Sequence, residues 1–356
     1  MNIRILSGRE IDASLAERWR DMQRGEPALT SPYFCPQFAQ AVATVRDDVF
    51  VAVIEDAGEM RGIFPFQRRG RTGVPLGGPL SDFHGLIAPD ALDLDATELI
   101  RSCGLDDWTF DHLLASQRCF AAHHAAQAES PRMNLAEGYE AYTIERREAG
   151  SKQINKTGTL RRKLEREIGE LRYEAHVDDP AVLRQVIEWK SAQCQATGTI
   201  DIFSFDWTQA LVERLVGVQD ADFAGMLSAL YVNDELIAAH MGMRSATVWH
   251  YWFPTYHDDY AKFSPGLILL LKMAEDAPTR GLTVIDLGKG DDFYKQRLAN
   301  DAVMLAEGRI ELPTLRTRLR RLGERTAGWA RRSPIAAPLR APGRAIRRML
   351  KRRRFK

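Results

Sequence analysis

The sequence predicts an α/β (α+β) fold built as two tandem units, and three observations carry that reading. A chain of 356 residues exceeds a single domain of about 150. Helical apolar periods alternate with short β-rich runs along the whole chain. The two halves also repeat one order of helices, then a hairpin, then a helix and strand, as a duplicated unit would. With 45% hydrophobic and 27% charged residues, the composition is that of a soluble globular protein and excludes collagen-like, coiled-coil and wholly disordered chains.

In the first half, residues 11–23 and 36–45 carry apolar side chains at helical spacing and are followed by β-rich runs at 49–55 and 60–67. RRGRTGVPLGGPLSDFHG then marks a loop-rich stretch, because glycine and proline interrupt both periods. A helix near 96–103 and strands near 108–114 and 131–135 close the first unit, with a boundary near residue 145. The second half opens with a charged helix over 151–171, a strand in LRYEAHV, and a helix over 179–196 started by Asp179-Pro180. Three strand-like runs follow at 224–232, 236–243 and 248–256, then a helix at 265–277, the strand TVIDLG, a short helix at 293–298 and a last strand at 302–310. The expected organisation is therefore 1–145, 146–312 and a separate tail, 313–356.

The tail is set apart by charge. It holds 16 of the 49 basic residues and one acid, Glu324, so it carries +15 against −14 for residues 1–312. Leu315, Leu319 and Leu322 recur among its arginines, a pattern that suits an anionic membrane surface as well as a solvated, disordered segment. The four cysteines lack CxxC spacing, the N-terminus has no apolar leader core, and the longest aliphatic run, residues 267–271, stops at Lys272. A cytoplasmic protein with reduced thiols is expected, with the tail as its route to the inner face of the membrane.

Four constellations could carry chemistry. Ser264-Pro265-Gly266 lies between a strand and a helix, where Ser264 can cap, Pro265 suits the first helical position and Gly266 presents backbone without a Cβ. Such a helix start attracts a pyrophosphate, and it is equally good ordinary capping. Asp286-Leu-Gly-Lys-Gly-Asp-Asp-Phe-Tyr-Lys295 leaves a strand through two glycines, placing polar groups at the sheet's carboxyl edge. There Lys295 can face a developing oxyanion and Asp286 can accept a proton, unless the two simply pair. Lys190 and Gln193 on the 179–196 helix can line a cleft or face solvent, and Tyr260 and His240 complete the substrate-side candidates. His240 and His250 sit on strand-like runs, where a histidine is ordinarily satisfied in the core. A fourth feature, the basic residues between Arg146 and Arg166, suits a phosphorylated substrate or RNA, or a solvated helix face.

No metal is expected. His123 and His124 are adjacent and would diverge on a helix, there is no HExxH, and no cysteine pair has ligand spacing. GxSxG and Walker A motifs are also missing from the sequence, which argues against a serine hydrolase or a P-loop ATPase.

Taken in order, SPYFCPQF, WKSAQCQATGTIDIF, YAKFSPGLILLLKMAEDAPTRG and DLGKGDDFYKQRL resemble the CelD-like acetyltransferases, a branch of the GNAT superfamily associated with cellulose and exopolysaccharide biosynthesis. The resemblance covers roughly residues 5–312. It implies tandem GNAT-like domains, each a mixed, mostly antiparallel sheet flanked by helices, as in the related FemAB transferases, with the acyl donor bound mainly in the second. Ser264, Pro265 and Gly266 then stand where GNAT enzymes hold the acyl-CoA pyrophosphate, although the usual Arg/Gln-x-x-Gly-x-Gly/Ala pattern is replaced by Lys262-Phe-Ser-Pro-Gly266. Tyr294-Lys295 is similar to the aromatic-lysine pair of the Fem enzymes, whose lysine is linked to activation of the acyl carbonyl. The implied activity is transfer from acetyl-CoA or another acyl-CoA to an amine or hydroxyl of a sugar or envelope-polysaccharide precursor. The alternatives are a Fem-like transferase using aminoacyl-tRNA and a non-catalytic subunit of a polysaccharide assembly.

Overall fold

The computed structural model describes residues 1–320 and Phe355. The first half runs β1 (Asn2–Ser7), α1 (Ala13–Arg24), α2 (Pro36–Val45), β2 (Val49–Asp56), β3 (Glu59–Arg69), β4 (Thr72–Pro75), α3 (Ala96–Ser102), β5 (Asp107–Leu114) and β6 (His124–Asn134). The second runs α4 (Gly138–Glu148), α5 (Gln153–Glu167), β7 (Leu171–Glu174), α6 (Pro180–Thr197), α7 (Asp206–Val216), β8 (Phe223–Val232), β9 (Glu235–Ser245), β10 (Val248–Tyr256), α8 (Pro265–Asp276), β11 (Val284–Asp286), α9 (Phe293–Leu298) and β12 (Asp301–Glu311).

Local chemistry sets most of these limits. The Asp12 carboxylate accepts the Leu15 amide at the start of α1, and Asp179 does the same for Ala181 with Pro180 at the first position of α6. β8, β9 and β10 are nearly continuous apolar runs because both of their faces are covered. Tight hairpins join β2 to β3 and β8 to β9. The second turns through Asn233 and Asp234, both in left-handed conformation.

All twelve strands join one mixed sheet in the order β1-β2-β3-β4-β5-β12-β6-β11-β10-β9-β8-β7. The expected division near residue 145 therefore needs correction, since it falls inside α4 and the two halves share their strands. β12, last in sequence, returns to pair with β5 and β6, while β6 from the first half pairs with β11 of the second. The exchange covers the edges that β5 and β11 would otherwise present unpaired. One apolar core likewise spans the halves: Trp19, Phe34 and Phe38 belong to the same cluster as Phe203, Leu211 and Met241.

Several elements escaped the sequence reading. α4 buries only Tyr142, so it has no apolar stripe to detect, and the outer part of β6 is a polar run, HAAQAES, that opens at His124. His124 is thus on a strand rather than a helix. The charged helix stops at Glu167, because Gly169 takes φ +155 before β7. The mostly antiparallel, helix-flanked sheet is as expected, with parallel pairing between β4 and β5 and between β10 and β11. No described helix is long and apolar enough to cross a membrane.

Candidate active site

The parallel pairing of β10 with β11 runs from Val248 and Val284 to His250 and Asp286 and then stops. β10 continues to Tyr256 with a register shift after His250, whereas the chain beyond β11 turns away through Gly288 at φ +72. Where the strands part they leave a cleft of about 540 Å³. One wall is β10 beyond the pairing, with Tyr251, Trp252, Pro254 and Tyr256. Ser264, Gly266 and Leu267 at the start of α8 form the next. Opposite stand Gly288 and Lys289 of the turn, Asp292 at the cap of α9 and Tyr294 and Lys295 within it, with Lys190 and Gln193 of α6 across the opening. Asp82 reaches in from the first half's Gly/Pro-rich segment.

The helix start is built differently from the expectation. Ser264 occupies the cap position in left-handed conformation (φ +54, ψ +55), and its side chain makes no capping hydrogen bond. The chain must swing sharply from the 3-10 turn Asp258–Phe263 into α8, and that turn demands the unusual backbone. Its carbonyl accepts the Leu267 and Ile268 amides, and the hydroxyl is left for another partner. Gly266 faces open space, since a Cβ there would meet only the Tyr256 ring, at 3.6 Å. Pro265 is buried and does not line the cleft.

Lys295 points into the cleft with a side chain 10% exposed. Its Nζ donates to the carbonyls of Gly288 (3.1 Å) and Lys289 (3.4 Å) and lies 3.3 Å from Asp292. It does not pair with Asp286. Across the opening, Lys190 Nζ donates to Gln193 Oε1 (3.0 Å), and burial holds the Lys190 ammonium below its usual range. Burial also pushes the Tyr294 hydroxyl well above the ordinary tyrosine value, so it stays a neutral donor.

Asp286, the expected base, does not face the cleft. It is 2% exposed and absent from the lining. Its Oδ1 accepts the Ser130 hydroxyl (3.1 Å) and the Gly288 amide (2.8 Å), and lies 3.5 Å from His250 Nδ1. His250 is fully buried between this carboxylate and Asp82, whose Oδ2 lies 2.9 Å from Nε2. Burial alone would push His250 down, but hydrogen bonds and charge from Asp286 and Asp82 outweigh it and hold the ring at about 9, a cation at neutral pH. Burial would raise the Asp82 carboxyl. The His250 hydrogen bond and charge, with His112 and Lys295, hold it below the usual range instead.

Two substrate-side candidates lie elsewhere. His240 is fully buried, accepts the Trp252 amide at Nε2 (3.1 Å), stacks on Tyr251, and is pushed by burial down to about 3. Tyr260 is outside the cleft, where its hydroxyl donates to Glu235 (2.7 Å). Asp82 was missed because a lone aspartate in a loop has no periodicity, although SDFHG stands in the Gly/Pro-rich stretch. His250 was seen and read as core, since its two carboxylates are remote in sequence.

Next to Asp82, His84, Asp111 and His112 bring their polar atoms within 4.8 Å of one another. Both ring nitrogens of His84 are already committed, Nε2 toward the Ser81 carbonyl (2.9 Å) and Nδ1 toward the His112 amide (3.3 Å), so the trio does not offer three free ligands.

Residues 151–296 match the family described as an acetyltransferase (GNAT) domain, a span that contains the cleft's α6, β10, α8, β11 and α9. No curated protein matches the chain. Among solved structures, FemX is 9% identical, with 90% of this chain and 99% of that one covered and a TM-score of 0.57. The C-terminal domain of an Agrobacterium fabrum protein named as a lysylphosphatidylglycerol synthetase is 14% identical over 86% and 94% of the two chains (TM-score 0.51). L-PGS from Bacillus licheniformis is 10% identical over 85% and 94% (TM-score 0.50). At such identities these structures share a fold with this chain. Over residues 151–296 the chain thus matches an acetyltransferase domain, which supports an acyltransferase.

Proposed function

We propose that this acyltransferase takes its acyl group from coenzyme A and delivers it to an amine or hydroxyl of a sugar or envelope-polysaccharide precursor. The observation that carries the reading is the cleft between the parted β10 and β11, with the start of α8 at one side and Lys295 at the other. The edge of β10 that β11 leaves uncovered beyond His250 suits the amides of an extended pantetheine chain. The amino end of α8, with Ser264 and Gly266 in the lining, suits the pyrophosphate. Lys295 is then the electrostatic stabiliser of the oxyanion formed on the thioester carbonyl, with Tyr294 beside it and Lys190 and Gln193 toward the acceptor. Direct transfer needs no nucleophile on the protein. The acceptor class comes from the CelD-like resemblance.

Gly266→Arg fills the space in front of α8 without a backbone clash, and should reduce acetyl-CoA affinity at least about tenfold by calorimetric titration. Affinity equal to that of the unaltered protein would remove the α8 site. FemX and the basic residues along α5 support a second reading, an aminoacyl-tRNA donor. It would be preferred if charged tRNA were consumed and no acyl-CoA bound.

The tail supplies a location for this chemistry, the inner face of a membrane. Most of the membrane-binding reading falls on residues outside those described. At the described start, Leu315 and Leu319 are 79% and 69% exposed, while Arg320 is anchored on Asp107 (2.8 Å). The full chain should cosediment with vesicles containing phosphatidylglycerol and release as salt rises from about 0.05 to 0.5 M. No cosedimentation at low salt would refute it.

A further inference from the structure

We propose that Asp82, supplied by the first half of the chain, takes the acceptor's proton during transfer, and that His250 is the positioning residue that holds it there. The assignment rests on the acyl-CoA reading and deepens it.

Two carboxylates line the cleft among the described residues, Asp82 and Asp292. Asp292 is spent on Lys295, and Asp286 lies behind the wall. Asp82 is 27% exposed and uses Oδ2 on His250. Its Oδ1 lies 3.9 Å from His112 Nε2, beyond hydrogen-bond reach, so the carboxylate keeps unused acceptor capacity at the cleft.

Its position relative to Lys295 is set by one residue. A Cβ placed on Gly288 would lie 3.5 Å from Asp82 Oδ2, while the carbonyl of the same Gly288 accepts the Lys295 ammonium. The carboxylate and the lysine therefore meet across a single peptide unit, the acceptor's side and the carbonyl's side of one reaction centre.

The alignment of Asp82 is fixed from behind. Ser130 on β6 and the Gly288 amide hold Asp286, Asp286 faces His250 Nδ1, and His250 Nε2 faces Asp82. The rings of Tyr33 and Phe83 stand edge-on to the imidazole at 5.1 and 6.5 Å and exclude water. The line thus crosses β6, β11 and β10 and ends at the cleft, so the strand exchange between the halves builds the support for the site.

In the step this geometry serves, the acceptor nitrogen or oxygen bonds to the thioester carbonyl carbon. Negative charge moves to the carbonyl oxygen beside Lys295. The carbon–sulfur bond then breaks and thiolate leaves. The proton lost by the acceptor passes to the Asp82 carboxylate and from there to the thiolate or to water. Attack makes an amine strongly acidic, so a carboxylate kept ionised by a neighbouring cation suffices to receive it. The titratable groups facing Asp82 are His250 from β10, His112 from β5, Lys295 from α9 and Tyr33. Those facing His250 are Asp82 and Asp286, with His240 from β9 and the Tyr33 ring.

The test uses the full chain, acetyl-CoA as donor, and glucosamine and water separately as acceptors, following thiol release. Asp82→Asn keeps the shape and should lower kcat at least about 100-fold with acetyl-CoA affinity within about threefold, and Asp82→Glu should recover part of the loss. His250→Gln keeps an N–H toward Asp82 but removes the cation, so the acidic limb of the kcat/KM profile should move upward, toward an ordinary carboxylate at about 4. A packing role alone would lower kcat without moving that limb. Turnover by Asp82→Asn within threefold of the unaltered protein, with acetyl-CoA still bound, would overturn the proposal. Failure of the unaltered protein to bind acetyl-CoA would instead overturn the donor reading.

Discussion

Lys295→Met is expected to slow acyl transfer by about 100- to 1000-fold while acetyl-CoA still binds with nearly its original affinity. The ammonium is the cleft's cation nearest the reacting carbonyl in the proposed pose, and its side chain, only 10% exposed, is shielded from the water that would weaken its field. Methionine keeps the length and apolar stem but cannot stabilise an oxyanion or hold the Gly288 and Lys289 carbonyls. Lys295→Arg therefore serves as the companion, keeping charge and donors and recovering part of the rate. Steady-state thiol release gives kcat, and calorimetry gives donor affinity separately. A kcat within threefold of the original would remove Lys295 from the chemistry.

The second large effect is on stability. Asp286→Ala should destabilise the fold by about 3 kcal/mol at pH 7, the lower end of the cost of breaking a buried ion pair, because the remaining partner keeps Asp82. The partner here is His250, fully buried and held as a cation. Its raised pKa fixes the sign of the pH dependence. A group at about 9 when folded and about 6.5 when unfolded binds its proton more tightly in the native state. Its contribution is therefore complete below about pH 6.5 and is lost as pH rises through about 9. Asp82 works in the opposite direction: its lowered pKa gives stability above the ordinary carboxylate value, lost on acidification. Urea midpoints between pH 6 and 9.5 should fall for the unaltered protein and fall less for Asp286→Ala, whose histidine has lost one of its two carboxylates. Equal slopes would mean that the buried cation is not there.

Most elements were legible because their signals are local. The strand runs of β8 to β10 needed only apolar composition, α2 and α6 needed only proline at the first turn and an apolar face, and α9 followed from the glycine-rich turn before it. α4 and the outer part of β6 were hidden because their stability comes from packing and pairing, not from their own pattern. At the site, Lys295, Tyr294, Ser264, Gly266, Lys190 and Gln193 do meet around one cleft. His240 and Tyr260 do not, because alternation along a strand and the local path of a turn choose which side chains face a cavity.

Alone, the sequence determined an α/β chain, an acidic body with a basic tail, and a second half carrying Lys190 and Lys295. Tertiary structure decided what the carboxylates do. Asp82, His250 and Asp286 lie 168 and 36 positions apart and come together only because β10 pairs with β11 beside β6, with the first half's loop laid across the end of the sheet. Whether a carboxylate accepts a proton from a substrate or holds a buried cation depends on desolvation and neighbouring charge, and those exist only once distant segments have packed.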